Sequence, residues 1–325
     1  MLKNNPDNCF FGLGLHPEYF SLVSMSGNRI DSMAVLELSR PFDLKYLREG
    51  NWALQYYIET LTALCEKIGT KSHSIGVVLN NSMVMLKKVP IAMGLEEDLI
   101  QEQMNWEAEQ MLISPVEQYT LVFERLPFSA PTGNPIYLQV LVRKKVIECV
   151  QKMLSETGLQ LVDMDVDCFS TIRTIACNYE LDPKTISVVV ELHRDYIGLV
   201  FIRKKEYFLL YKIFLENNPE DASELVKVIL KDLRRIIFGH GLGKGIEDIN
   251  RYFLLDHVSR KDFLRAFSNS VGVAVDSIHP FQKLAVTPEA SQTAEYSIFP
   301  ERLTTAVGVL LKKWPSLAKL DEKRF

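Results

Sequence analysis

The same order of elements occurs twice in this chain, at a separation near half its length, and this repetition restricts the fold more than any single motif. In the first pass, Phe10 to Leu15, Tyr19 to Met25 and Ile30 to Leu38 read as strands, the last two joined by the turn Ser26-Gly27-Asn28-Arg29. A helix follows, with Leu54, Tyr57, Ile58, Leu61, Leu64, Cys65 and Ile68 on one face and Gly69 as its stop. Ile75 to Leu79 is then a short apolar strand of the kind buried on both faces. The second pass runs Ile186 to Leu192, Tyr196 to Ile202, the charged turn Arg203-Lys204-Lys205-Glu206, and Tyr207 to Phe214. Its helix is expected to be capped by Asn218, with Pro219 in the first position and Glu220 and Asp221 near the positive end of the dipole. Leu225, Val226, Ile229, Leu233, Ile236 and Ile237 form its buried stripe, Gly239 ends it, and the strand Tyr252 to Leu255 comes next. Two βββαβ units predict an α/β fold of two duplicated lobes, with any ligand in the cleft between them.

A different segment, Val84 to Leu161, interrupts the repeat. It reads strand, helix (Leu95 to Leu112), strand (Tyr119 to Leu126), strand (Ile136 to Val142) and helix (Lys144 to Thr157), with Pro127 to Pro135 as a mobile hairpin loop. The expected organisation is a first lobe over 1–84, completed by 162–185 and 301–325, an inserted α+β subdomain over 85–161, and a second lobe over 186–300.

Composition excludes several functions. The 325 residues, 47% hydrophobic and 24% charged, supply enough material for two cores, and a net charge of −4 leaves no basic face for nucleic acid. The five cysteines form no Cys-x-x-Cys pair and have no histidine at ligand spacing, so a reduced compartment and no metal site are expected. The start, Met1 to Asp7, lacks the apolar core of a signal peptide, and no run approaches the ~18 apolar residues of a membrane span. Any membrane role requires a partner that holds the chain there.

Leu95-Glu96-Glu97-Asp98-Leu99-Ile100 through Asn105-Trp106-Glu107-Ala108-Glu109-Gln110 resembles the PilM group of type IV pilus assembly proteins. In that group a W-E-A-E-Q block ends a helix before a proline-containing turn, here Ser114-Pro115-Val116-Glu117. Gly158 to Asp167 resembles the family's return strand, His279-Pro280-Phe281 its N-P-F, and Thr305 to Leu310 its C-terminal A-x-G-L helix. The resemblance implies a two-lobed actin-like (ribonuclease H-like) fold with an inserted subdomain like that of FtsA. It also implies a structural task at the cytoplasmic face of the inner membrane. There the protein would capture the cytoplasmic N-terminal tail of a bitopic, PilN-like partner and join other platform proteins. GspL-like scaffolds of type II secretion are the related alternative, and self-assembly leaves no short motif to read.

Actin-like proteins cradle nucleotide phosphates with small residues in two hairpin turns, and a carboxylate at each first strand's end organises Mg²⁺. Where the family pattern resembles G-L-D-I-G-S-S-S, this chain has Gly12-Leu13-Gly14-Leu15-His16-Pro17-Glu18-Tyr19. Gly14 replaces the acid, His16 the turn glycine, and Pro17 removes an N–H. Where the family has D-I-G-A-E, Glu191 keeps an acid, but His193 and Arg194 crowd the turn. No glycine falls at Leu255-Asp256-His257, where a G-G-G run packs on adenosine. The expectation is a vestigial site (Gly12, Gly14, His16, Glu191, His193) without ATP, Mg²⁺ or catalysis; a divergent ATPase is the alternative. If the two hairpins oppose, His16 and His193 face each other across the cleft, where packed or solvated rings are expected over the alternative of a metal or pH role. Gly239-His240-Gly241-Leu242-Gly243-Lys244-Gly245 matches neither G-x-G-x-x-G nor Walker A and reads as a helix-to-strand loop.

The helix Leu95 to Leu112 carries two apolar stripes on nearly opposite sides: Leu95, Leu99 and Trp106, and Ile100, Met104, Ala108 and Met111. The two stripes read either as burial between the inserted subdomain and the main lobe, or as one core stripe and one that lines a groove for a partner's peptide, with the assignment open between them. Leu99, Ile100, Met104, Trp106 and Met111 are the candidate partner-binding residues.

Overall fold

The computed structural model describes residues 9–48, 51–69, 73–215, 219, 221–260 and 262–313. The first repeat folds as β1 (Cys9–Leu15), β2 (Tyr19–Ser26), β3 (Arg29–Glu37), α1 (Asn51–Ile68) and β4 (Ser74–Leu79). The insertion is β5 (Val84–Pro90), α2 (Glu97–Glu109), β6 (Tyr119–Ser129), β7 (Pro135–Arg143) and α3 (Lys144–Glu156). The chain returns through β8 (Gln160–Val166) and α4 (Asp167–Asn178). The second repeat follows as β9 (Ile186–Leu192), β10 (Tyr196–Arg203), β11 (Glu206–Phe214), α5 (Ala222–Gly239) and β12 (Arg251–Asp256). Then come α6 (Phe263–Val271), β13 (Ala274–Ser277), β14 (Ala285–Val286), two single-turn helices, α7 (Pro288–Ser291) and α8 (Ala294–Ser297), and α9 (Thr304–Lys313).

The duplication is visible in strand order. The first sheet runs β14-β3-β2-β1-β4-β8 and the second β11-β10-β9-β12-β13, so five strands of each share one topology. Within both, the first three strands are antiparallel, and the strand after the helix pairs parallel with the first. β1 and β9 are central and buried on both faces, as their near-continuous apolar runs require.

Between the sheets, α9 crosses the first sheet and packs on α4. Glycines set that spacing: a Cβ on Gly12 would lie 2.0 Å from the Ala306 carbonyl oxygen, and one on Gly308 would lie 2.1 Å from that of Ser170. Nine of the twelve α4 residues are buried, including polar Asp167, Ser170, Thr171, Thr174 and Asn178. Cys168, Ile172 and Ile175 of α4 share one apolar core with Val189, Val200 and Phe253 of the second sheet.

Three local features differ from expectation. Asn218 lies outside the described residues, and the side chain of Asp221 caps α5 by accepting the Ser223 N–H at 2.9 Å. Pro127 belongs to β6, so the hairpin loop is only 130–134; Pro is tolerated there because β6 is an edge strand. The chain rejoins the first sheet before residue 301, because β14 pairs with Arg29 and Ile30 and Phe281, Leu284 and Ala290 pack in the first lobe's core. The loop after α5 connects helix to strand, as read.

Candidate functional sites: a filled cleft and an open groove

The carboxyl ends of β1, β8, β9 and β12 converge, which is where open α/β sheets place their ligand crevices. Each of three strand ends delivers a histidine. His16 follows β1, His193 follows β9 and His257 follows β12; all three are buried. His16 and His193 do face each other, but with His257 between them: ring centroids are 4.6 Å apart for His16–His257 and 4.3 Å for His193–His257. Tyr196 continues the stack on His193 at 4.2 Å. His257 was legible in sequence only as a missing glycine, since nothing in local spacing joins positions 16, 193 and 257.

Hydrogen bonds fix this column. His16 Nε2 pairs with Thr305 Oγ1 at 2.9 Å, and His257 Nδ1 with the Tyr19 hydroxyl at 2.6 Å. Gly14 is what admits His16, because a Cβ there would lie 2.6 Å from both Ser21 Oγ and Thr305 Oγ1. Asp167 stands at the start of α4, accepting from Asn80 Nδ2 at 3.0 Å and lying 3.9 Å from His16 Nδ1. Glu191 accepts from Asn81 Nδ2 at 3.1 Å and crowds Gly198, where a Cβ would meet its Oε2 at 2.5 Å. Burial, then the neighbouring His193, pushes His16 down to about 3, and burial drives His257 well below the usual imidazole range. Both rings are therefore neutral. Burial raises Asp167 to about 6 and carries Glu191 well above the carboxylate range. Burial also opposes ionisation of Glu18, but contact with His193 and the Arg194 N–H outweighs it and lowers that carboxyl.

Against this cluster lies a pocket of about 500 Å³ at the cleft mouth, bordered by His257 and Glu18 of the cluster and by Glu37, Arg194, Ser259, Arg260 and Arg302. Two grooves border the insertion. The smaller, about 400 Å³, lies between the loop after β3 (Leu44, Leu47) and Arg143, Lys144, Lys145 and Glu148. The larger, about 1030 Å³, runs along β6 and is closed by α4 and by the β10–β11 turn. Strand order β5-β7-β6 leaves one edge of β6 unpaired along this groove. Leu126, Leu138, Phe169, Ile172 and Tyr207 supply apolar walls, and Glu124, Arg125, Lys205, Glu206 and Lys312 a charged rim.

A family model described as type IV pilus assembly protein PilM matches residues 27–194, just over half of the chain. The chain belongs to this family. Among solved structures it is similar to one described as the PilM-PilN type IV pilus biogenesis complex, at 18% identity and a TM-score of 0.74. That match covers 93% of this chain and 97% of the other. A Bacteroides thetaiotaomicron protein described as having an actin-like ATPase fold matches at 9% identity and a TM-score of 0.52, covering 87% and 97%. At these identities the likenesses establish the fold, which is actin-like.

Membership of this fold family implies a magnesium nucleotide in the cleft, and the residues present do not fit one. His16, His193 and His257 occupy the space, and backbone donors of the turns are already engaged. The His16 N–H donates to Tyr19 O, the His193 N–H to Tyr196 O, the His257 N–H to Leu192 O, and the Arg194 N–H to Glu18 Oε1. Of the expected vestigial positions, Gly12 lies under α9 and not at the cleft. Gly14, His16, Glu191 and His193 do come together.

The five candidate partner-binding residues separate. Met104 is fully buried between α2 and the three-stranded sheet, against Val89 and Ile91, and Ile100 and Met111 are half-buried in the same layer. Leu99 and Trp106 are exposed, at 47% and 56%. The Met104 stripe is thus core, which corrects its assignment as partner-binding. None of the five lines either groove; the groove residues were missed because they come from segments far apart in the chain. Among the described residues no helix is long and apolar enough to cross a membrane.

Proposed function

We propose that this chain is a non-catalytic scaffold of a type IV pilus assembly machine. In this reading it captures the cytoplasmic N-terminal tail of a bitopic, PilN-like inner-membrane partner and is held at the membrane by that partner. The observation that carries the reading is the groove of about 1030 Å³ beside the unpaired edge of β6. An extended peptide gains main-chain hydrogen bonds from such an edge, while alternate side chains enter the apolar walls. The charged rim carries both signs, so it fits a tail with apolar and charged residues interleaved.

The test is fluorescence anisotropy with a labelled peptide of the tail. Ala176 is exposed on the α4 wall and Val122 is exposed on β6, so neither is needed for the core. Ala176→Trp and Val122→Asp are each expected to weaken binding at least ~10-fold, about 1.4 kcal/mol. Trp106→Ala is expected to leave it unchanged. Unchanged affinity in both groove variants would remove the groove from the proposal, and a loss in Trp106→Ala alone would move the tail to the outer face of α2.

A nucleotide reading draws on one feature, the arginine-bordered pocket at the cleft mouth. Calorimetry with Mg-ATP separates the two. The scaffold reading expects no heat of binding and no phosphate release; tight binding with hydrolysis would overturn it.

A further inference from the structure

The buried histidine–carboxylate cluster has a second property that scaffold function does not use. Ring and carboxylate atoms inside it have no hydrogen-bond partner: His16 Nδ1, His257 Nε2, His193 Nε2 and Glu191 Oε1, while His193 Nδ1 and Glu18 Oε2 face each other only at 3.6 Å. Burying so many unsatisfied polar atoms in one place is costly unless something binds them.

Geometry narrows what that is. One ligand atom from each of His16, Asp167 and His257 lies within 4.8 Å of the other two. In a zinc site with bonds of about 2.0–2.2 Å, ligand atoms stand roughly 3.3 Å apart, so side-chain shifts of about 1 Å would close the set. The outer contacts have the pattern of metal ligands, in which each histidine's other nitrogen is held by a hydrogen bond. Here His16 Nε2 is held by Thr305 and His257 Nδ1 by Tyr19, and the second nitrogen of each ring has no hydrogen-bond partner. Asp167 is oriented by Asn80 and by Thr171 Oγ1 at 3.3 Å.

Charge points the same way. Asp167 and Glu191 are both fully buried, and the Lys212 ammonium beside them donates to the Asn81 carbonyl at 2.7 Å. Asp167 also belongs to a second set with Glu191 and His193, on the second lobe's side, which offers a fourth ligand.

We propose that His16, His257 and Asp167 bind a divalent transition-metal ion, zinc in preference to magnesium, which clamps the two lobes together at the ends of β1, β8 and β12. Imidazole ligands select zinc, whereas magnesium takes oxygen ligands and retains water.

The test uses the full chain, stripped by chelator and titrated with zinc or cobalt(II). One zinc per chain is expected to survive gel filtration and to raise the thermal midpoint, and the cobalt form to show visible bands of a nitrogen–oxygen site. Tyr19→Phe removes only the hydrogen bond orienting His257 and is expected to weaken binding about 10- to 100-fold. His257→Gln is expected to abolish stoichiometric binding. If His257→Gln does not fold, the wild-type cobalt spectrum and Tyr19→Phe decide. Failure of the wild-type chain to retain zinc or cobalt would overturn the proposal, and so would equal retention in Tyr19→Phe and His257→Gln.

Discussion

Replacing Gly308 by alanine is expected to cost more than about 3 kcal/mol, a size reached when overpacking falls on groups that cannot move. The added Cβ would lie 2.1, 2.5 and 2.8 Å from the O, C and Cα of Ser170, all backbone atoms of α4. No rotamer change relieves such a contact; α4 and α9 would have to separate. The separation would disturb both lobes, since α9 lies on the first sheet and α4 shares a core with the second. It would also displace Asp167, at the first turn of α4, and Thr305, at the first turn of α9, so the histidine cluster would loosen. Thermal unfolding and limited proteolysis measure the loss. Ser170→Gly is expected not to rescue Gly308→Ala, because the clashing atoms remain; rescue would show that the side chain of Ser170 sets the spacing.

Met104→Glu is expected to unfold the insertion, at more than about 4 kcal/mol, because it buries a carboxylate among apolar side chains with only the already engaged Gln139 amide beside it. Met104 is fully buried against Val89 and Ile91, with Leu121, Phe123 and Tyr137 around it. Its own carbonyl accepts from buried Gln139 Nε2 at 2.6 Å, so a shift of α2 would strand that amide as well. Trp106→Ala, on the exposed face, is expected to change stability by no more than about 0.5 kcal/mol. Hydrogen exchange resolved by peptide separates the two: protection of 84–143 should collapse in Met104→Glu and persist in Trp106→Ala. Equal protection in both would place Met104 outside the core.

The contrast between these two residues shows where sequence reasoning stops. Periodicity identified both stripes of α2, because a helix repeats its faces every 3.6 residues whatever it packs on. It did not say which stripe meets a sheet, because that depends on β5, β7 and β6 assembling beneath it. Similarly, Gly12 and Gly14 read alike as remnants of a phosphate turn. In the fold, Gly12 makes room for α9 and Gly14 makes room for His16 and Thr305. The sheet edge and groove beside β6 were also illegible, because an edge exists only once strand order is known.

By itself the sequence determined the duplicated βββαβ plan, the insertion and the loss of the small turn residues. Each is written in local signals: period-two strands, a capped amphipathic helix, histidines where turn glycines would be and a proline after the first of them. Only the tertiary structure decided that His16, His193 and His257 stack in one buried column beside Asp167 and Glu191. Those residues are separated by as many as 241 positions (257 − 16) and meet because parallel strands of two sheets end at the same crevice. Convergence of this kind is a property of topology, and no spacing along the chain encodes it.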